Sequence, residues 1–217
     1  MFLDTPFFSR LNSLPNSYCH TAPLGLPLSS SLVEIFGSLR IDVRLRESLL
    51  SLLDLSLTVS EILSAAAKIS IPEQIKLLKV TYALRYEFLQ PASLAYNDFD
   101  LLSLENQHIN EVLRTGALLY MQATLQEFPL SALGSRGLVH KLKKLVITIQ
   151  IANKSQGELV AWLLFMGGLE AKAGEDRMWF VAQLAKLLAH LKMKTWEVVE
   201  LALGKLWWVK KIHQGGV

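Results

Sequence analysis

Side chains able to do chemistry are spread thinly along this chain. His20, His108, His140, His190 and His213 are its five histidines. No two of them stand three or four residues apart, so no single helix turns two imidazoles toward one metal ion. Cys19 is the lone cysteine, which leaves no intrachain disulfide and no cysteine cluster for a structural zinc. Cys19 and His20 place a thiol beside a base, but neighbouring side chains of an extended segment point to opposite sides. The chain contains no Gly-x-Gly-x-x-Gly, no Gly-x-x-x-x-Gly-Lys-Ser/Thr and no Gly-x-Ser-x-Gly. Gly134-Ser135-Arg136-Gly137 reads as a turn, not a nucleophile elbow. The acidic pairs Asp98/Asp100 and Glu175/Asp176 flank predicted helix starts, where exposed amides and the helix dipole favour acids. These residues point to no enzyme and imply no cofactor.

The elements that would position any site are helical. Four Ser/Thr-x-x-Glu patterns (Ser31 with Glu34, Thr58 with Glu61, Ser70 with Glu73, Ser155 with Glu158) sit at or just before apolar-periodic stretches, and each reads as a capping box. Over about 72–89 the pattern Ile75, Leu78, Tyr82 and Leu89 predicts one buried face. Over about 105–127, Ile109, Val112, Gly116, Leu119, Tyr120 and Ala123 predict another. Phe128-Pro129 and the glycines at 134 and 137 break the chain. Leu138 to Ile151 then begins as a basic amphipath and ends in the β-branched run Val146-Ile147-Thr148-Ile149, which we read as helix because no second strand pattern exists to pair with it. Asn153 to Gly157 reads as a polar loop. From about 175 to 191, Phe180, Leu184, Leu187 and Leu191 share one face, with Gln183, Lys186 and His190 on the other. The expected architecture is all-α, a multi-helix orthogonal or antiparallel body over 31–217. Residues 1–30, with Pro6, Pro15, Pro23 and Pro27, read as an extended or partly ordered arm that Phe7, Phe8 and Leu11 can anchor.

Composition sets limits on partners. Of the 217 residues 51% are hydrophobic and only 19% charged, below the ordinary ~25%, so a surface with an apolar patch for a partner is expected. The longest apolar stretch, Leu159 to Leu169, includes two glycines and falls short of the ~20 residues that span a bilayer. Asp4 stands where a signal peptide carries basic charge, so no leader is expected. The net charge is +3, and the basic residues Lys141, Lys143 and Lys144, interrupted by Leu142, make a thin footprint for phosphates. In the last helix Glu197 and Glu200 lie near the start and Lys205, Lys210 and Lys211 near the end, which suits the dipole.

All five tryptophans lie in the last quarter. Trp162-Leu163-Leu164-Phe165-Met166-Gly167-Gly168, Arg177-Met178-Trp179-Phe180, Thr195-Trp196-Glu197 and Leu206-Trp207-Trp208 follow at helix-length intervals. Aromatics at such spacing are first of all packing residues, each burying ~150–250 Å², and Trp162, Trp179 and Trp196 are expected to be mostly buried. Gly167 and Gly168 either admit a neighbouring helix or end their own. This order of motifs resembles the C-terminal half of the fungal-specific transcription factor domain, the regulatory region of fungal zinc binuclear-cluster transcription factors, best over 105–208.

The resemblance implies a nuclear regulatory module in transcription, with Trp162, Gly167, Gly168, Arg177, Trp179, Phe180, Trp196, Glu197, Trp207 and Trp208 carried over as packing residues. It also implies a zinc cluster of six cysteines, which this chain with its single cysteine lacks. The expectation is therefore a chain that binds no DNA sequence specifically by itself and works through a protein partner, as a homodimer or with a full-length factor. No membrane is expected; a small-molecule effector is open. The alternative reading is a small-molecule-binding or cofactorless catalytic helical domain on the same fold, since fold alone does not fix function.

Overall fold

The computed structural model describes residues 41–65, 70–90, 104–124, 131–171 and 174–207, together with Leu32, Phe36, Gly37 and Leu39. The arm over 1–30 and the Ser31–Glu34 box lie outside the described residues, as do Cys19, His20, Asp98, Asp100, Phe128, Pro129, Trp208, Lys210, Lys211 and His213. The described residues form seven helices and no strand: α1 (Val43–Ala65), α2 (Ile71–Leu89), α3 (Leu104–Thr124), α4 (Ser131–Val146), α5 (Lys154–Glu170), α6 (Glu175–His190) and α7 (Trp196–Gly204). From α1 to α6 each helix packs on its successor, and α7 returns to α5. α3 touches α1, α2, α4 and α5, while α5 touches α3, α4, α6 and α7. These two helices are the inner layer.

α1 buries Leu45, Leu49, Leu52 and Ser56, a spacing of one residue per turn along one face. Asp42 caps it: its carboxylate accepts from the Leu45 amide at 3.0 Å, while the Asp42 amide donates to the Asn110 side chain at 3.1 Å. The Thr58–Glu61 box does not form, because both residues lie inside this continuous helix. The Thr58 hydroxyl donates instead to the Asp54 carbonyl at 3.0 Å, the back-bond that lets a hydroxyl residue stay within a helix.

α2 does begin at the Ser70–Glu73 box, the Glu73 carboxylate accepting from the Ser70 amide at 3.0 Å and from its hydroxyl at 2.6 Å. These bonds to the charged form hold the Glu73 carboxyl below its ordinary range. The face that α2 turns inward is not the one its periodicity predicts. Leu84 and Phe88 are buried and Leu77 and Val80 pack beside them, whereas Ile75, Tyr82 and Leu89 are exposed. The helix has two apolar sides, and α1 and α3 cover only one.

Two further corrections concern breaks. Gly134 and Gly137 lie within α4, where Ser135, Val139, Leu142 and Val146 form a buried face that outweighs the ~1 kcal/mol per glycine of lost helix propensity. α4 then stops at Val146 in a turn, so Ile147-Thr148-Ile149 is neither helix nor strand. The His108 Nε2 lies 2.9 Å from the Leu145 carbonyl and 2.7 Å from the Thr148 hydroxyl at that end. The loop expected over 153–157 is the first turn of α5. Asn153 is the cap, accepting from the Gln156 amide at 2.8 Å, while the Gln156 side chain reaches back to the Ala152 amide at 2.8 Å. Ser155 is therefore not a cap, and Ser155 and Glu158 are buried inside the helix.

α6 keeps the predicted face, with Phe180 and Leu187 buried and Leu184 and Leu191 packed on the core. It ends where Lys192 takes a left-handed φ of 57° and the Met193 amide donates back to Leu188 at 2.9 Å, the arrangement usually given to glycine.

A buried cation ties α2 to α3. Arg114, nearly inaccessible on α3, donates to the carbonyls of Gln90 at 2.8 Å and Glu87 at 3.4 Å. A positive charge there complements the negative end of the α2 dipole and satisfies the Gln90 carbonyl, while at Glu87 it adds to the bond from the Gln90 amide. We expect Arg114→Met to cost about 2 kcal/mol in urea unfolding, the scale of hydrogen bonds to a charged group, and to speed amide exchange over 84–90. Unchanged stability and exchange contradict this assignment.

Candidate functional site

The tryptophan motifs converge on the inner layer. Trp162, fully buried on α5, meets Tyr120 of α3 with ring centroids 6.0 Å apart and Trp207 with centroids 5.1 Å apart. Trp207, just past α7, donates from its indole nitrogen to the Leu49 carbonyl of α1 at 3.0 Å and stands 6.4 Å from the Phe36 ring. Burial pushes the Tyr120 phenol up to about 12, with the Ser56 and Thr124 hydroxyls pulling the other way. Gly116 faces the Trp162–Leu163 step of α5: a Cβ at that position would meet the Leu163 Cδ2 first and lie 3.0 Å from the Trp162 Cζ3.

A second close approach joins α5 to α6. The fully buried Phe180 ring lies against Gly167, where a Cβ would come within 2.6 Å of the Phe180 Cζ. At Gly168 a Cβ would be 3.6 Å from the Phe180 Cβ, an ordinary contact. The glycine pair thus admits a neighbouring ring rather than ending its own helix, which runs on to Glu170. Trp179 meets Phe180 edge to face at 4.9 Å, and Lys143 of α4 lies 5.3 Å above the Trp179 ring while donating to Asp176 at 2.8 Å. That bond and charge, with His140 and Arg136 nearby, hold the Asp176 carboxyl below its ordinary range.

Other expected residues fall elsewhere. Trp179 is only partly buried. Trp196 is 46% exposed and packs one side on Phe165 with centroids 5.9 Å apart, so the expectation of a mostly buried Trp196 is corrected. It opens a short helix at the rim of the body, which leaves the indole partly open to solvent beside Phe165. Arg177 is exposed in the first turn of α6, and Glu197 is exposed in the first turn of α7 with its carboxyl held low by its own backbone amide and the Thr195 hydroxyl. Lys205 follows α7 and donates to the buried Glu158 of α5 at 3.0 Å. Neither Glu158 nor Arg114 stood out in the sequence as a tie between helices. The available signal was a single charged residue within each otherwise apolar or small stretch, which burial requires to be paired.

Comparison with known families matches the fungal specific transcription factor domain over residues 9–212. The chain belongs to this family. Neither the search of curated proteins nor that of solved structures gave a match. Membership assigns the chain a transcription regulatory role; in this chain Trp162, Phe180 and Trp207 are the aromatic residues that join α1, α3, α5 and α6. No helix among the described residues is long and apolar enough to cross a membrane.

Two outcomes follow for this member of the family. Gly167→Ala forces a Cβ into a ring that cannot withdraw, so we expect a loss of about 1–3 kcal/mol from overpacking, whereas Gly168→Ala gains up to ~1 kcal/mol of helix propensity. Thermal unfolding of the two variants checks this, and equal melting points refute it. For Asp176, a folded value below the ordinary 3.8 means the ion pair contributes fully above that pH and is lost as pH falls through the depressed value. Carboxyl NMR titration should place Asp176 below 3.8 and move it upward in Lys143→Met; an identical midpoint in both proteins rules the pair out as the cause.

Proposed function

We propose that this chain is a nuclear transcription-regulatory module that acts through protein contacts, with its helical body working as one unit and DNA recognition left to another polypeptide. The observation that carries this reading is the apolar surface around Trp196. The half-exposed indole lies on Phe165, and Leu169 is exposed one turn further along α5; Val198 and Leu201 are exposed on other faces of the short α7. An exposed tryptophan beside exposed aliphatic side chains is typical of interface cores, where tryptophan is enriched.

The distribution of charge supports the same reading. Lys141 pairs with Glu111, Lys143 with Asp176 and Lys205 with Glu158. Three of the basic residues singled out by the sequence, Lys141, Lys143 and Lys205, are thus engaged in ties between helices rather than gathered toward phosphates. Among the described carboxyls, Glu170 alone is raised, by burial and no second charge, which lends little support to an acid–base site.

The partner is a second copy or a complete factor. Sedimentation over a concentration series, alone and mixed with a full-length factor, tests the proposal. We expect association that Trp196→Ser with Leu169→Ser abolishes, and binding to promoter DNA that is weak and indifferent to sequence at physiological salt. A monomer at all concentrations with no partner crosslinked in nuclear extract, or strong discrimination of a DNA site, would falsify it.

A further inference from the structure

α2 carries a second apolar stripe that α1 and α3 leave in solvent. Ile71 is 71% exposed, Ile75 47% and Leu89 61%, with Tyr82 and Tyr86 also exposed and Leu78 half-buried among them. These positions recur every three or four residues along 19 residues, a ridge of about 28 Å at 1.5 Å per residue. They lie on the side of the helix away from Leu77, Leu84 and Phe88, which face the core. The ridge is held in shape at both ends, by the Ser70–Glu73 box and by Arg114 on the Glu87 and Gln90 carbonyls.

Its rims are basic. On helical geometry Lys79 borders the stripe on one side and Arg85 on the other, and both are exposed; Lys76 lies further round, on the side of Glu87. Glu73, the acid nearest the start of α2, is bound to Ser70, and Glu87 lies toward the covered side. A second copy of this chain laid on the stripe would set these cations against their own counterparts, and like charges across an interface are unfavourable. An acidic surface removes that repulsion. We infer that the outer face of α2 is a docking surface for an amphipathic helix of a partner protein whose apolar stripe is flanked by Asp and Glu. This rests on the proposal that the chain acts through protein contacts and specifies one of them. The binding mode is a helix laid along a helix, with anchors at i, i+4, i+7 and i+11.

Fluorescence anisotropy with the full chain tests it. One probe is a labelled 18-residue amphipathic helix bearing leucines on one stripe and glutamates on both flanks; the control replaces the glutamates with lysines. We expect the acidic probe to bind about tenfold more tightly than the basic one, the scale of two or three exposed charge pairs, and to weaken as salt rises. Lys79→Glu with Arg85→Glu should reverse that preference, and Ile75→Ser with Leu89→Ser should lose both probes while leaving the melting point unchanged, since all four side chains are exposed. Equal affinity for the two probes, no binding of either, or no reversal by the charge variants overturns the inference. So does adsorption of the chain to phosphatidylserine vesicles that the acidic probe does not displace, or self-association abolished by Ile75→Ser with Leu89→Ser. Probe binding in a chain that neither associates nor affects transcription would sink the proposed function alone; association through Trp196 without probe binding would sink this inference alone.

Discussion

α3 and α5 approach closely at the centre of this helical body because α3 offers a residue without a side chain opposite Trp162 and Leu163. Gly116 lets α3 and α5 approach until the ring is enclosed between Tyr120 and Trp207. Everything else is arranged around that contact. α5 is buried on nearly every side from Ser155 to Gly167, which is what a helix with an all-round apolar sequence requires. α6 repeats the device, pressing Phe180 into the space left by Gly167. Large rings facing glycines give close-packed contacts in which a single added methyl has nowhere to go.

Polar ties reinforce the register that these close contacts set. Asn110 fixes the start of α1, Arg114 the end of α2, Glu158 the segment after α7 and Trp207 the middle of α1. Each joins residues far apart in sequence, and each satisfies a group that would be costly to bury alone. α3 supplies two of the four, consistent with its place against α1, α2, α4 and α5.

The same economy leaves apolar surface outside. Once the inner layer is filled, the aliphatic residues of α2 that point away from it remain exposed, as do Leu169 and half of Trp196. Under the proposed function these are the surfaces that other proteins would recognise, and they lie on different elements, one on α2 and the other on α5 and α7. Their chemistry differs as well. The α2 ridge is rimmed by Lys79 and Arg85, while the Trp196 surface is bordered by Glu197.

Helix after helix was legible in the chain because amphipathic periodicity is local: the Phe180–Leu184–Leu187–Leu191 face of α6 and the Val112–Gly116–Leu119–Tyr120 face of α3 are where their spacing puts them. The ordered Trp motifs likewise carried the family. What local spacing cannot encode is which of two apolar stripes on one helix meets a neighbour, and so Ile75, Tyr82 and Leu89 of α2 were assigned to the wrong side. Nor can it tell a glycine that breaks a helix from one, such as Gly134 or Gly137, carried through it by a buried face on the same turns. The exposure of Trp196, the capping of α5 by Asn153 rather than Ser155, and the pairing of Glu158 with Lys205 were decided the same way. Each depends on groups brought close only when the whole chain is packed, because burial and charge pairing are properties of neighbours in space and not of neighbours in sequence.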